Sequence, residues 1–256
     1  MRVIAAHRRN LVLEMIRADG AVSISAAAER LDASVVTVRR DLDQLASEGL
    51  VTRTHGGAVA SGPSREQPYL EKLGQAAREK AAIGRLAAEL VKDGDTLVIG
   101  PGTTTEALAE NLRGFSGLTV VTNSLPVAEL FVASPDVEVI MTGGSLRGSI
   151  RALIGDPTIA LLAGLHADKT FLSGNGLAAD FGLSTPALAV ADSDRAMARA
   201  GYQVIVLADH TKLGVRTAVR TVPTGEMTHV VTDAASPEHE LDALRAAGVD
   251  VHVASL

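Results

Sequence analysis

The 256-residue chain has no cysteine and no tryptophan, and only two tyrosines and four phenylalanines. The first absence excludes disulfides and every thiolate metal site. The shortage of aromatics leaves a core that Ala, Val, Leu and Ile must fill. No apolar run approaches the roughly 18 residues of a membrane span. Arg8-Arg9 come before any apolar stretch develops, so neither a span nor a leader is expected, and the expected location is cytoplasmic. The seven histidines show no His-Glu-x-x-His spacing, and there is no P-loop and no Gly-x-Ser-x-Gly elbow. No cofactor and no metal site are expected. Excess positive charge is missing as well. The formal net charge is −6, and residues 1–60 hold eight Arg or Lys against seven Asp or Glu, a net of +1 that leaves −7 for the remainder. Any affinity for nucleic acid must therefore come from placed arginines rather than a strong overall field.

What is present is organised around residues 31–59. Ser34 suits a helix N-cap, and Val35, Val38, Leu42 and Leu45 recur at helical spacing as one buried face. Thr37, Arg39 and Arg40 lie off that face, near the helix start, where a recognition helix meets base edges and phosphates. Gly49 can stop the helix in the left-handed conformation. Residues 50–54 then read as a short strand, His55-Gly56-Gly57 as a tight turn and Ala58-Val59 as a return strand: a β-wing after a recognition helix. Upstream, Ile4, Leu11, Val12, Met15 and Ile16 share one helical face, and Ile24, Ala27, Ala28 and Leu31 a second, shorter one. Three helices and a wing occupy residues 1–60.

The run Ser34-Val35-Val36-Thr37-Val38-Arg39-Arg40-Asp41-Leu42, with Gly49-Leu50 and Arg53-Thr54-His55-Gly56-Gly57 following in register, resembles the DeoR-type winged helix-turn-helix. That resemblance implies a DNA-binding head. Ser34 and Thr37 would orient the helix, Arg39 and Arg40 would contact phosphate or guanine, and Arg53 with His55, Gly56 and Gly57 would form the wing contact.

Two prolines and small polar residues at 61–68 mark an exposed break, and 61–74 is expected as linker. A helix is expected over 75–91, with Ile83, Leu86, Ala87 and Leu90 facing inward. Near-continuous apolar runs then alternate with helical stretches at 96–99, 118–122, 137–142, 169–173, 202–208, 229–232 and 249–253, as parallel strands buried on both faces require. Asp156-Pro157 and Ser236-Pro237 read as an N-cap followed by proline at the first helical position. The expected fold class is α/β, an N-terminal winged helix-turn-helix plus a larger α/β domain over 75–256 with a mostly parallel, Rossmann-like sheet.

In such a sheet, ligands sit outside the carboxyl ends of the strands. The residues following successive strands are Gly102-Thr103-Thr104-Thr105, Asn123-Ser124, Gly143-Gly144 with Arg147, Asn175-Gly176, and Asp209 with Lys212. A Gly-Thr turn at a helix N-terminus offers backbone N–H groups and hydroxyls to an anion, and Arg147 and Lys212 can supply countercharge. All five loops are expected on one rim. This half also resembles the DeoR-type sensor domain, itself similar to the ribose-phosphate isomerase and glucosamine-phosphate deaminase folds. The matching pieces include Lys80, Gly102-Thr103-Thr104, Thr122-Asn123-Ser124, Gly143-Gly144, Asn175-Gly176 and Asp209 with Lys212. The chain departs from the family pattern at Gly100 and Val190, where relatives often carry acids. Asp192 and Asp194 stand close to the second of these. It departs again at Thr211-Lys212-Leu213-Gly214, where relatives often have Ser-Lys-Phe-Gly.

The resemblance implies a transcriptional regulator, a repressor of a carbohydrate-catabolism operon. Its partners would be double-stranded operator DNA and a small-molecule effector, a sugar phosphate, and it would assemble as a homodimer or homotetramer through the α/β domain. The competing enzyme reading is an isomerase or deaminase fused to a DNA-binding head, with Asp209, Lys212 and Asp180 in acid–base roles. A pure interaction scaffold is a third reading. Gly174-Asn175-Gly176-Leu177-Ala178-Ala179 satisfies the dinucleotide fingerprint, but Asp180 through Pro186 reads as loop where the fingerprint needs a helix.

Overall fold

The computed structural model describes residues 5–19, 21–47, 51–54, 56–60 and 67–256, and divides into two units, Met1–Ser64 and Arg65–Leu256. The first unit runs α1 (Ala5–Asp19), β1 (Ala21–Ser23), α2 (Ile24–Arg30), α3 (Val35–Ser47), β2 (Val51–Thr54) and β3 (Gly57–Ala60). Val12, Ile16, Ile24, Ala27, Val38, Leu42 and Leu45 interlock as its core, so the three expected helical stripes meet. Hydroxyls start two of the helices. Ser23 accepts from the Ala26 N–H at 3.1 Å, and Ser34 accepts from the Thr37 N–H at 3.1 Å. The buried Asp41 carboxylate receives two bonds from Arg8, at 2.5 and 3.2 Å, and so ties α3 to α1.

Three expectations in this unit need correction. Val35 is 47% exposed, because at the first helical position it projects past a core whose edge is Val38. The wing has three strands, in the order β1-β3-β2, since residues 21–23 pair antiparallel with β3. Gly57 is not in the turn but opens β3, directly opposite Ser23. A Cβ there would overlap the Val22 carbonyl oxygen, so glycine serves the close approach of two backbones. Ile4, Gly49 and His55 lie outside the described residues.

The second unit begins with α4 (Tyr69–Leu73), α5 (Ala77–Ala88), β4 (Thr96–Ile99), α6 (Thr103–Glu110), β5 (Leu118–Thr122), α7 (Leu125–Phe131) and β6 (Val137–Met141). A hairpin of β7 (Ser145–Arg147) and β8 (Ala152–Ile154) leads to α8 (Asp156–Ala163) and β9 (Ala167–Leu172). After β10 (Gly176–Ala178) and β11 (Gly182–Thr185) come α9 (Leu188–Ala200), β12 (Gly201–Leu207), β13 (Val219–Val222), β14 (His229–Asp233), α10 (Glu238–Ala246) and β15 (Asp250–Ala254).

Seven strands form one sheet in the order β15-β14-β12-β9-β4-β5-β6, every pairing parallel. These are the seven apolar runs of the sequence. Side-chain alternation splits them between two cores. Leu97, Ile99, Val120, Phe171, Ile205 and Leu207 face one way, with Ile83 of α5 and Leu108 of α6. Val98, Val121, Leu172, Val204, Val206 and Val230 face the other, with Met197 of α9 and Leu241 of α10. Helices cover both faces, as an all-parallel sheet demands.

The remaining differences are local. The linker expected over 61–74 is shorter, because Tyr69–Leu73 is helical and Tyr69 N–H donates to the Ser149 carbonyl at 2.7 Å. The helix expected over 75–91 spans only α5, with Leu86 and Leu90 at the edge of its core. Gly155 rather than Asp156 caps α8, and α10 begins one residue later than expected, with Pro237 at its N-cap. The segment after Asp180 is strand β11, antiparallel to β10, so the fingerprint-like glycines open a β-hairpin rather than a helix.

Replacing Gly57 by alanine is expected to cost the first unit about 1–3 kcal/mol through the forced separation of β1 and β3. Urea unfolding compared with the unmodified chain measures this, and an unchanged midpoint would contradict the packing described.

Candidate functional site

At the start of α3 the Ser34 and Thr37 hydroxyls bond one another at 2.8 Å. One turn on, Arg39 and Arg40 are exposed and make no hydrogen bond or ion pair among the described residues. Val36 is 71% exposed and lies four residues before Arg40, on the same helical face. Arg53 is differently placed. Its Nε pairs with Asp43 at 2.9 Å and its Nη1 donates to the Gly57 carbonyl at 2.7 Å, bracing β2 against α3 and β3. The Gly56 carbonyl accepts from the Ile24 N–H at 2.9 Å. Ser34, Thr37, Arg39 and Arg40 therefore share one exposed helix start, while Arg53 and Gly57 hold the wing together.

In the second unit the strand order reverses at β4 and β9: the chain leaves β4 toward β5 and β6, then returns to β4's other side. A solvent-open cleft lies there, at the carboxyl ends, where such sheets bind ligands. Its floor is Pro101, Gly102, Thr103 and Thr104 after β4, Ser173, Gly174 and Asn175 after β9, and Asp209 and Lys212 after β12. Gly102, with φ +151°, caps α6, and a Cβ would run into the Ser173 hydroxyl. No side chain caps this helix, so its first-turn N–H groups are left without an intrahelical partner, and Gly102, Thr103 and Thr104 at that end line the cleft.

Helices supply the walls. Tyr69 and Lys72 come from α4, Lys80 from α5, and Val190 and Asp194 from α9. The buried Lys80 ammonium donates to the Lys72 and Gln75 carbonyls at 2.7 and 2.6 Å, closing the α4–α5 corner. Burial holds its pKa below the ordinary lysine value; Asp209 opposes that shift and Lys212 adds to it. The Tyr69 hydroxyl donates to Glu106 at 2.5 Å, and Arg151 stacks 4.7 Å from its ring centre. Burial, then Glu106, pushes the phenol pKa up, and burial raises that of Glu106 itself. Asp209 is buried and accepts from both the N–H and the hydroxyl of Thr211.

Of the nominated rim residues, the cleft gathers Gly102, Thr103, Thr104, Asn175, Asp209 and Lys212. The others stand apart. Thr105 is buried, its hydroxyl donating to the Gly102 carbonyl at 2.9 Å. Asn123 and Ser124 lie beneath the β7–β8 hairpin, where Asn123 donates to the Leu153 carbonyl at 2.8 Å and Ser124 caps α7. Gly143 accepts from the Thr158 hydroxyl at 2.7 Å, Gly144 packs on Ile154, Arg147 sits on β7, and Gly176 opens β10 against Val215. Asp180, an acid of the enzyme reading, pairs with Arg216 on the exterior. Sequence reasoning about strand ends missed the helix-borne groups. The clearest signal for one was the spacing of Val190 and Asp194, which puts a carboxylate one turn along the same face of α9.

Two family models match the chain. The DeoR-like helix-turn-helix domain covers residues 8–63, and the DeoR C terminal sensor domain covers residues 75–234. The chain belongs to the DeoR family. It is a DNA-binding transcriptional regulator with a sensor unit for a small-molecule effector, and the matched relatives are regulators rather than enzymes. It is 35% identical to the HTH-type transcriptional regulator YgbI of Escherichia coli K12, over 94% of this chain and 95% of that one. It is 33% identical to the glycerol-3-phosphate regulon repressor of the same organism, over 90% and 91% of the two chains. The lactose phosphotransferase system repressor of Lactococcus lactis is 38% identical over 66% of this chain and 68% of its own. Among the described residues, no helix of this DeoR-family chain is long and apolar enough to cross a membrane.

Lys80 also gives a pH dependence. Because its folded pKa lies below the ordinary value, the unfolded chain holds the proton over the interval between the two, and stability rises with pH there. The stability of the native chain relative to a Lys80→Met variant should therefore increase as pH climbs toward about 10.4, the value of an unfolded lysine. Urea unfolding at a series of pH values checks this, and a flat difference would remove Lys80 from the buried cleft wall.

Proposed function

We propose that this DeoR-family chain is a repressor of a carbohydrate-catabolism operon whose hold on DNA is set by a phosphorylated sugar in the switch-point cleft. Relatives named for glycerol-3-phosphate, lactose and aga regulation support the metabolic assignment. The observation that carries the ligand class is the pairing of unlike groups in one cleft. The amides at the start of α6 and the Lys212 ammonium suit a phosphate, while the Asp194 and Asp209 carboxylates suit sugar hydroxyls.

On the DNA side, α3 enters the major groove with Ser34 and Thr37 at its start. Arg39 and Arg40 reach phosphate or guanine edges, and the exposed Val36 is positioned for a thymine methyl. Arg53 contributes by holding the wing against α3, and Gly56 lies in the turn before β3. Operator half-sites call for a symmetric assembly, so the active form is a homodimer or homotetramer.

Two measurements test the two halves of this reading. Arg40→Ala should weaken binding to operator DNA, selected from a random-sequence pool, by about 1–3 kcal/mol; unchanged affinity in a gel-shift titration would remove Arg40 from the DNA contact. In a thermal-shift panel of sugar phosphates, sugar acids and unphosphorylated sugars, a phosphorylated member should raise the unfolding midpoint, since a ligand of the folded state stabilises it. Lys212→Ala should abolish most of that rise. A panel without any phosphate-dependent shift would defeat the effector assignment and leave the DNA assignment standing.

A further inference from the structure

At the opposite edge of the sheet from the cleft, where the strands begin, three side chains of β14 and β15 point to one spot. His229 is paired in register with Asp250, and His252 follows two residues along, on the same face. His229 Nδ1 lies 3.1 Å from His252 Nε2, Asp250 Oδ2 lies 3.4 Å from the first and 3.5 Å from the second, and the same three atoms define all three distances. A tetrahedral zinc ion with bonds of about 2.0–2.1 Å separates its ligand atoms by about 3.3–3.4 Å. The triangle already has the size of one face of that tetrahedron.

We propose that His229, Asp250 and His252 form a binding site for a divalent transition metal of the zinc class. Two imidazoles and one carboxylate favour Zn²⁺ and Co²⁺ over the oxygen-seeking Mg²⁺ and Ca²⁺. A second observation independent of the triangle supports the site. The outward nitrogen of His229, Nε2, stands 3.3 Å from the side-chain amide of Gln203 on β12. The atom there is the amide nitrogen; turning that amide by 180° brings its carbonyl oxygen to the same place, where it accepts the Nε2–H that a metal on Nδ1 leaves on the ring and so fixes the ring's orientation. The neighbouring cation does not oppose the metal at full strength, because Lys169 is held by Asp95 at 2.6 Å. The fourth corner opens to solvent past Asp250, whose side chain is 65% exposed, and water can fill it. A bound ion would fasten the edge strand β15 to β14. No sequence motif announces the site, because register between strands rather than spacing along the chain brings 229 to 250 and 252.

The test uses untagged full-length protein stripped with a chelator and titrated with Co²⁺. One equivalent should develop the visible ligand-field absorption of a low-coordinate nitrogen–oxygen site, without a thiolate band because the chain has no cysteine. One equivalent of Zn²⁺ should displace it and raise the unfolding midpoint. His252→Gln and Asp250→Asn should each weaken Zn²⁺ binding more than about tenfold, and Gln203→Leu by about 10–100-fold, the usual effect of losing an outer partner. His239→Gln, an exposed histidine on α10, should leave binding unchanged. Each variant's unfolding midpoint in chelator separates loss of the fold from loss of the ligand. Absence of a saturable one-equivalent Co²⁺ spectrum, or a spectrum that folded His252→Gln and Asp250→Asn both retain, would overturn the proposal and leave the three groups as a hydrogen-bonded cluster.

Discussion

The parallel hydrogen-bond ladder is the constraint from which the rest follows. Because all seven strands run one way, every loop that leaves a strand's carboxyl end emerges on a single edge, and the helices that return the chain must cover the two faces. Reversal of strand order between β4 and β9 then parts neighbouring loops and leaves a crevice. The cleft chemistry is a consequence of that geometry. Gly102 can accept φ +151° and come close to Ser173 only because β4 and β9 are adjacent, and Asp209 reaches the same space because β12 is next in order.

Much of this was legible in the sequence, for a physical reason. Strands buried on both faces must be apolar almost throughout, so runs such as 96–99, 118–122 and 202–208 stood out. The short strands did not. β1, β7, β10 and β11 are three or four residues long and paired with distant or hairpin partners, so their cost of formation is met by tertiary contacts rather than by local composition. The site followed the same division. Strand-end loops could be nominated from order alone, yet β5 and β6 lie one and two places from the reversal, so Asn123, Ser124, Gly143, Gly144 and Arg147 fall under or beside a hairpin. Tyr69, Lys80 and Asp194 arrive on helices, about which a rule for strand ends is silent.

The departures from the family pattern take on a specific form. A Cβ at Gly100 would meet the side-chain ends of Leu172 and Met197, so an acid at this position would have to push aside an apolar corner of the core. Val190 and Asp194 share a face of α9, and both line the cleft. Asp194 thus brings a carboxylate to the cleft one helical turn, about 5.4 Å, beyond the Val190 position. A ligand that pairs with it must extend its hydroxyls differently from one fitted to an acid at the Val190 position.

Charge is used just as sparingly in the first unit. Arg8 is committed to Asp41 and Arg53 to Asp43 and Gly57, which leaves Arg39 and Arg40 as the exposed pair on α3. With a net of only +1 over residues 1–60, and a screening length of about 8 Å at physiological ionic strength, long-range attraction contributes little. Affinity for DNA must then come from close contacts rather than from the unit's overall field. An effector alters DNA binding only if its own affinity differs between the two states, and the coupling is reciprocal. Within the cleft wall, α4 is the element closest along the chain to the first unit. Its Tyr69 is fixed by Glu106 and Ser149, and the carbonyl of its Lys72 by Lys80. Asp209 and Lys212 both act on the Lys80 ammonium, in opposite directions, so the charge balance of the cleft floor bears directly on the α4–α5 corner that Lys80 closes.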